Sequence, residues 1–400
     1  MNVCLEVAGT RPANETPAWG AVFSLSLGVF GLVTAEFLPA SLLTPMAASL
    51  GVTEGLAGQA VTVTAAVAMV TSLLISSATR RIDRRHVLLA FSVLLIASNL
   101  LVAYAPTLAL VLAGRVLLGI AIGGFWTMSA ATAMRLVPEA MVPRALSIMF
   151  SGVSLATIAA APMGSYFGHL IGWRNVFLLA VVLGALALLW QLATLPRMAP
   201  NGETRLRTMV EVLQRPGMGR GILACLLVFT GHFAFFTYLR PFLENETGVG
   251  IQGLSVILLG FGVANFLGTS LAGLLLERSL HFTLLAMPLL MGIIGFALVV
   301  LGRLPIAHAV LVSLWGMAFG AVPVAWSTWI TRTVPDEAES GGGLFVAAVQ
   351  LAITLGAAVG GAIFDNSGAR GVFLASAVTL IAATCVVSLS LRSRAVLATG

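Results

Sequence analysis

The chain reads as long apolar runs separated by short polar breaks. Runs of about 20 apolar residues, the length that crosses a bilayer as a helix, recur near residues 19–46, 55–79, 87–105, 110–134, 145–170, 174–195, 219–243, 253–276, 282–302, 306–331, 343–364 and 371–391. One polar break is long: PRMAPNGETRLRTMVEVLQRPGMGR at 196–220, with five arginines. The pattern predicts an all-α integral membrane protein with twelve transmembrane helices in two six-helix bundles, 19–195 and 219–400, joined by a cytoplasmic linker at 196–218. Residues 1–18 are polar, lack the apolar stretch of a secretory signal and read as a cytoplasmic tail. The halves echo each other, since RRIDRRHVLLA follows the second run and LLLERSLHFTLLA the eighth. Duplicated six-helix halves are a transporter architecture, with the solute held between them near mid-membrane. Gly119 and Gly123, and Gly356 and Gly360, have the four-residue spacing that lets helix backbones approach in lipid. Pro39, Pro162 and Pro323 fall inside runs, where each removes a backbone donor and can bend its helix.

Composition narrows the function. Hydrophobic residues make up 59% of the chain and charged residues 9%, with a mean hydropathy of +1.03; soluble domains carry about 25% charged residues. All 21 basic residues are arginine. Without lysine there is no G-x-x-x-x-G-K-[ST] phosphate loop and no lysine Schiff base. Cys4, Cys225 and Cys385 are too scattered for a disulfide framework or a zinc site. His86, His169, His281 and His308 lie near helix ends without metal spacing, so no metal or other cofactor is called for. No H-E-x-x-H or serine elbow supports a membrane enzyme. The pI of 10.2 invites a nucleic-acid partner, but the arginines sit between spans. With the N-terminus in the cytoplasm, sixteen arginines fall on the inner side and four (Arg174, Arg240, Arg303 and Arg370) on the outer side, while Arg115 lies within a span. That bias places both termini in the cytoplasm.

Particular strings resemble a known family. AGRVLLGIAIGGF resembles the fourth-helix signature R-x-x-x-G-x-x-x-G of the major facilitator superfamily, with Arg115, Gly119 and Gly123 at its fixed positions, and IGWRNVF resembles the turn into its sixth helix. EFLPASLLTPMA, GGFWTMSAATAMRLVP, GHFAFFTYLRPFL and VPVAWSTWITR, drawn from both halves, resemble the bacterial purine ribonucleoside efflux pumps of its drug:proton antiporter branch. Two places depart from the family pattern. SSATRRIDRR puts Ser76, Arg80 and Asp83 where the loop after helix two has Gly, Asp and Gly, and the fifth-helix antiporter motif is reduced to APMGSYFG. The resemblance implies the major facilitator fold in a bacterial cytoplasmic (inner) membrane. It also implies a monomer, and export of inosine, guanosine and analogues by proton antiport with alternating access. A broader drug or sugar exporter of the same superfamily is the alternative. A sensor or a channel is a further class, to be told apart by solute flux and conductance.

Few ionisable side chains lie within spans: chiefly Glu36, Arg115 and His232, with Asp365 at an outer helix end as a cap or turn residue. Glu36 and Arg115 fall at comparable depth, and the resemblance implies that their helices line one cavity. They form either a fixed salt bridge or a proton switch in which Glu36 is the carrier, because arginine does not lose its proton. His232 has three open roles: a titrating group, a hydrogen bond to substrate, or a neutral packed ring. Phe125, Trp126, Phe233, Phe236, Tyr238 and Trp326 are flat surfaces on which a base can stack, or packing residues. Asn265 and Gln350 are candidates for pairing with base edges or ribose hydroxyls.

Overall fold

The structure, a computed structural model, describes residues 17–138, 141–199, 206–301 and 304–391; the tail at 1–16, linker residues 200–205, Arg303 and the chain end at 392–400 lie outside the described residues. Every long element is helical, in the order α1 (Trp19–Ser41), α2 (Leu43–Leu50), α3 (Glu54–Ala78), α4 (Arg84–Ala103), α5 (Leu108–Leu136), α6 (Val142–Ile171), α7 (Trp173–Thr194), α8 (Leu206–Leu213), α9 (Met218–Thr237), α10 (Leu239–Thr247), α11 (Ile251–Arg278), α12 (Leu280–Val300), α13 (Pro305–Thr333) and α14 (Ala338–Leu391). Among the described residues, eleven helices are long and apolar enough to cross a membrane. The last of them, α14, is broken at Gly368 (φ 67°, ψ −175°) into two arms. Each arm can cross, so the chain makes twelve crossings. Glycine permits that backbone at no steric cost.

The helices are apolar on nearly all sides because one face meets protein and the other lipid. On α7, Phe177, Ala180, Gly184 and Ala187 are buried, while Leu179, Val182, Leu186 and Leu189 are exposed. The cores divide at the linker. Two clusters draw on residues 21–198, and another draws chiefly on residues 212–387. Ala40, Leu43, Ala47, Ala57 and Ala161 of the first half join the cluster of the second.

Close helix approach rests on absent side chains. A Cβ on Gly119 would lie 2.6 Å from the Thr64 carbonyl oxygen, and one on Gly123 would collide with the Ala68 backbone. Both contacts put α5 against α3, and backbone cannot move aside as a side chain can. Gly123→Val is expected to lower thermal stability in detergent, with overpacking costing about 1–3 kcal/mol. Unchanged melting would show that α3 and α5 separate freely.

The repeat is deeper than the sequence suggested. The first and seventh apolar runs are each broken near their ends, at Leu42 (φ −112°, ψ 12°) and Tyr238 (φ −105°, ψ 12°). Each break is followed by a short helix, α2 or α10, that stops at a left-handed glycine, Gly51 (φ 65°) or Gly248 (φ 66°). Proline accompanies both breaks: Pro45 follows Leu42 and Pro241 follows Tyr238 within one turn, and neither can donate to the carbonyl four residues back.

The altered loop after the second crossing has its own logic. Asp83 caps α4, accepting from the amides of Arg85 at 2.8 Å and Met198 at 3.0 Å. Partial burial pushes its carboxyl up, but these amides and the nearby His86 and Arg135 charges together hold the group below its usual range. Arg84 donates to the Thr79 hydroxyl at 2.9 Å and Arg85 to the Leu192 carbonyl at 2.8 Å. These contacts stay within the first half and its exit.

Candidate functional site

Glu36 lies nearly two turns before the first break, on α1. Its neighbour Pro39 has no N–H, so the Ala35 carbonyl lacks its helical donor. In lipid that carbonyl must find another. Arg115, fully buried on α5, supplies it: Nη1 donates to Ala35 O at 2.8 Å. Nη2 reaches the Glu36 backbone carbonyl at 3.4 Å, and Nε bonds Thr64 Oγ1 at 2.8 Å and Ala60 O at 3.2 Å. Of the two alternatives, the fixed side-chain salt bridge does not form; Arg115 grips the backbone of the helix that carries Glu36.

Glu36 lines a small cavity between the halves. Glu36, Phe37, Ala40 and Val61 line it from the first half, and Phe233, Phe236, Thr237 and Ile353 from the second. Phe37 and Phe236 meet across it edge to face, with centroids 5.3 Å apart and planes at 61°. At about 10 Å³, it has room for roughly one water, so a larger solute enters only when the halves move apart.

Two of the expected aromatic residues, Phe233 and Phe236, thus meet Glu36. Gln350 lies one turn from Ile353 on α14, buried, with its carbonyl oxygen unpaired among the described residues. The others are elsewhere. Phe125 packs in the core of the first half with Trp126 edge-on to it at 6.1 Å. Trp326 is in the core of the second half against Trp329. Asn265 uses its amide to bond the Gly316 carbonyl at 3.2 Å, joining α11 to α13. Tyr238 is fully buried at the seam, its hydroxyl donating to Ala357 O at 2.9 Å. Large rings occupy these places because deep helix contacts need volume, which a single sequence does not distinguish from a cavity lining.

His232 takes the packed role among the three left open. Its ring lies 3.3 Å from that of Phe319, with planes 1° apart, and Nδ1 accepts from the Trp315 indole at 3.1 Å. An accepting Nδ1 means a neutral ring; an imidazolium would put a proton where Trp315 already points one.

Sequence reasoning missed Phe37, Ala40, Val61, Thr237 and Ile353; Phe37 and Thr237 adjoin Glu36 and Phe236 in the chain, whereas Val61 and Ile353 are far from both. Two charges have partners that the sequence did not reveal. Arg240, counted on the outer side, is buried between the halves. Asp365 is a cap in trans: it accepts from the amide of Gly55 at 3.2 Å and the hydroxyl of Thr53 at 3.0 Å, at the start of α3. Among the described residues no group of three or more His, Cys, Asp or Glu side chains is placed to hold a metal ion.

The architecture has known relatives. A bacterial homologue of the human lysosomal transporter Spinster, solved inward-facing and unoccupied, superposes with a TM-score of 0.77 at 16% identity, covering 96% of this chain and 98% of that one. A D-xylose–proton symporter does so with a TM-score of 0.76 at 17% identity, covering 93% and 97%. In sequence the chain is 47% identical over 376 residues to the purine ribonucleoside efflux pump NepI of Salmonella enteritidis PT4, covering 94% of this chain and 95% of that protein. It is 49% identical over 352 residues to the pump of the same name from Salmonella typhimurium LT2, covering 88% and 89%. The profile of the Major Facilitator Superfamily matches residues 25–346. Twelve apolar crossings, a repeated broken helix and a match across most of the length make this multi-pass membrane protein a transporter, not an enzyme, and a member of the Major Facilitator Superfamily.

Proposed function

We propose that the chain exports purine ribonucleosides from the cytoplasm in exchange for protons. In this reading it is a monomer in the bacterial inner membrane with both termini cytoplasmic, and the bundles 19–195 and 219–400 rock about the cavity at Glu36. Relatives at 47–49% identity that bear the name purine ribonucleoside efflux pump support the solute class. The arginine bias supports the orientation.

The observation that carries the reading is Glu36, free of an ion pair and lining one cavity with Phe37, Phe233 and Phe236 where the halves meet. A purine ring stacks on such faces, and a carboxylate accepts hydrogen bonds from ribose hydroxyls or base N–H groups. The same oxygens take the proton. Solute and proton then compete for one group, and competition for one site that alternately faces each side is exchange. A proton moved through 100 mV contributes about 2.3 kcal/mol, which sustains roughly a forty-fold solute gradient. Arg115 holds the helix bearing Glu36, Gln350 and Thr237 offer polar contacts to the solute, and His232 backs the ring cluster.

The test is inosine and guanosine movement in proteoliposomes under an imposed pH gradient. Accumulation against the nucleoside gradient is the expected result. Movement of drugs or sugars with no nucleoside flux would transfer the assignment to a broader exporter. Phe236→Leu keeps bulk but removes a π face, and stacking contributes about 1–3 kcal/mol per base. Guanosine affinity should fall fivefold or more, read by competition; an unchanged affinity would remove Phe236 from the binding surface.

A further inference from the structure

The side-chain hydrogen bonds that join one half to the other cluster, among the described residues, at the end of the bundle that carries α2 and α10. At their centre is Arg240. Its Nη1 donates to the Ser41 carbonyl of the other half, and its Nε bonds Glu244 Oε1 at 2.9 Å. Glu244 Oε2 in turn accepts from Thr44 Oγ1 at 2.6 Å, again across the halves. The Ser41 carbonyl is open to Arg240 because residue 45 is proline: its helical partner would be the missing N–H of Pro45. The first half thus presents a carbonyl and a hydroxyl, and the second half an arginine and a glutamate that fit them. This repeats, across the seam, what Arg115 does for the carbonyl freed by Pro39.

We infer that Arg240, Glu244 and the Pro45-freed carbonyl of Ser41 form a latch that holds the outer side of the transporter closed, with Arg240 as its positioning residue. A guanidinium serves Ser41 and Glu244 together because its donors diverge in a fixed plane. Asp365, capping α3 from the other half, is a second tie at the same end, so loss of the latch loosens closure without abolishing it. Rocking to the outward-open state must break both, and their strength sets how often that happens. Calling this end outer rests on the arginine bias, but the latch does not depend on which solute is carried.

Ala57 is the reporter. It belongs to the first half, is fully buried, and packs into the core of the second half at this seam. Ala57→Cys is placed in full-length protein lacking Cys4, Cys225 and Cys385 and labelled in whole cells with a membrane-impermeant maleimide. Arg240→Gln should raise the labelling rate about tenfold or more, the factor for one charge-assisted hydrogen bond. Pro45→Ala should also raise it, since a restored backbone donor takes the Ser41 carbonyl while Arg240 and Glu244 remain. If Arg240→Gln fails to reach the membrane, Pro45→Ala decides alone. Labelling unchanged both in whole cells and in inside-out vesicles, in the variants that do reach the membrane, overturns the latch. Labelling unchanged in whole cells but raised in inside-out vesicles overturns its placement at the outer face. Neither result touches the nucleoside assignment, which flux alone decides.

Discussion

Glu36→Gln is expected to lose all pH-driven nucleoside accumulation in proteoliposomes, falling to the level of empty vesicles, while solute exchange down its own gradient persists. Glutamine keeps the shape of glutamate and can hydrogen-bond a ribose hydroxyl, but it cannot take and release a proton. The cavity geometry makes the separation clean, because the carboxylate is not in an ion pair whose loss would disturb the fold. Arg115 bonds the Ala35 and Glu36 carbonyls, Ala60 O and Thr64 Oγ1, none of which the substitution removes. A charge within the bilayer also costs roughly 2.5–3.5 kcal/mol on insertion scales, so the amide should be stably tolerated. Retained uphill transport in Glu36→Gln would move proton coupling to another group and leave Glu36 as a solute contact.

The second large effect is on Arg115. Arg115→Met keeps much of the buried volume and removes the guanidinium, so the Ala35 carbonyl freed by Pro39 loses its donor where no water replaces it. An unmet buried carbonyl costs about 1–3 kcal/mol, and Thr64 loses a partner as well. The expected outcome is a sharp fall in folded protein and in transport. Arg115→Lys should recover only part, since one ammonium cannot span acceptors on both α1 and α3. The decisive measurement is a double-mutant cycle on thermal stability. Pro39→Ala restores an N–H for Ala35, so Arg115→Met should cost less in that background. Equal cost in both backgrounds would mean that Arg115 acts through charge and not by filling the place of a backbone donor.

The place of Glu36 was legible because carboxylates inside apolar runs are few, and its depth beside Arg115 followed from counting along two runs. The bond between them was not legible. A glutamate and an arginine at one depth suggest a salt bridge; the structure instead pairs the arginine with the carbonyl that proline released, and the two outcomes share one sequence pattern. Asp365 was recognisable as a helix-end residue, yet the Gly55 amide it caps is 310 positions away. The aromatic residues divided for a different reason. Phe233 and Trp326 are both rings in apolar helices, and only the relative rotation of those helices sends one to the cavity and the other to the core.

By itself the sequence determined the crossings, their number and the few charges within the membrane. Each follows from a local quantity, the cost of placing polar groups in hydrocarbon over about 20 residues. The tertiary structure alone decided which arginine meets which freed carbonyl, which rings share a cavity with Glu36, and that Arg240 latches the halves. Those depend on how helices rotate and pack, and in lipid, where every face of a helix is apolar, no difference between buried and exposed positions records that rotation in the sequence.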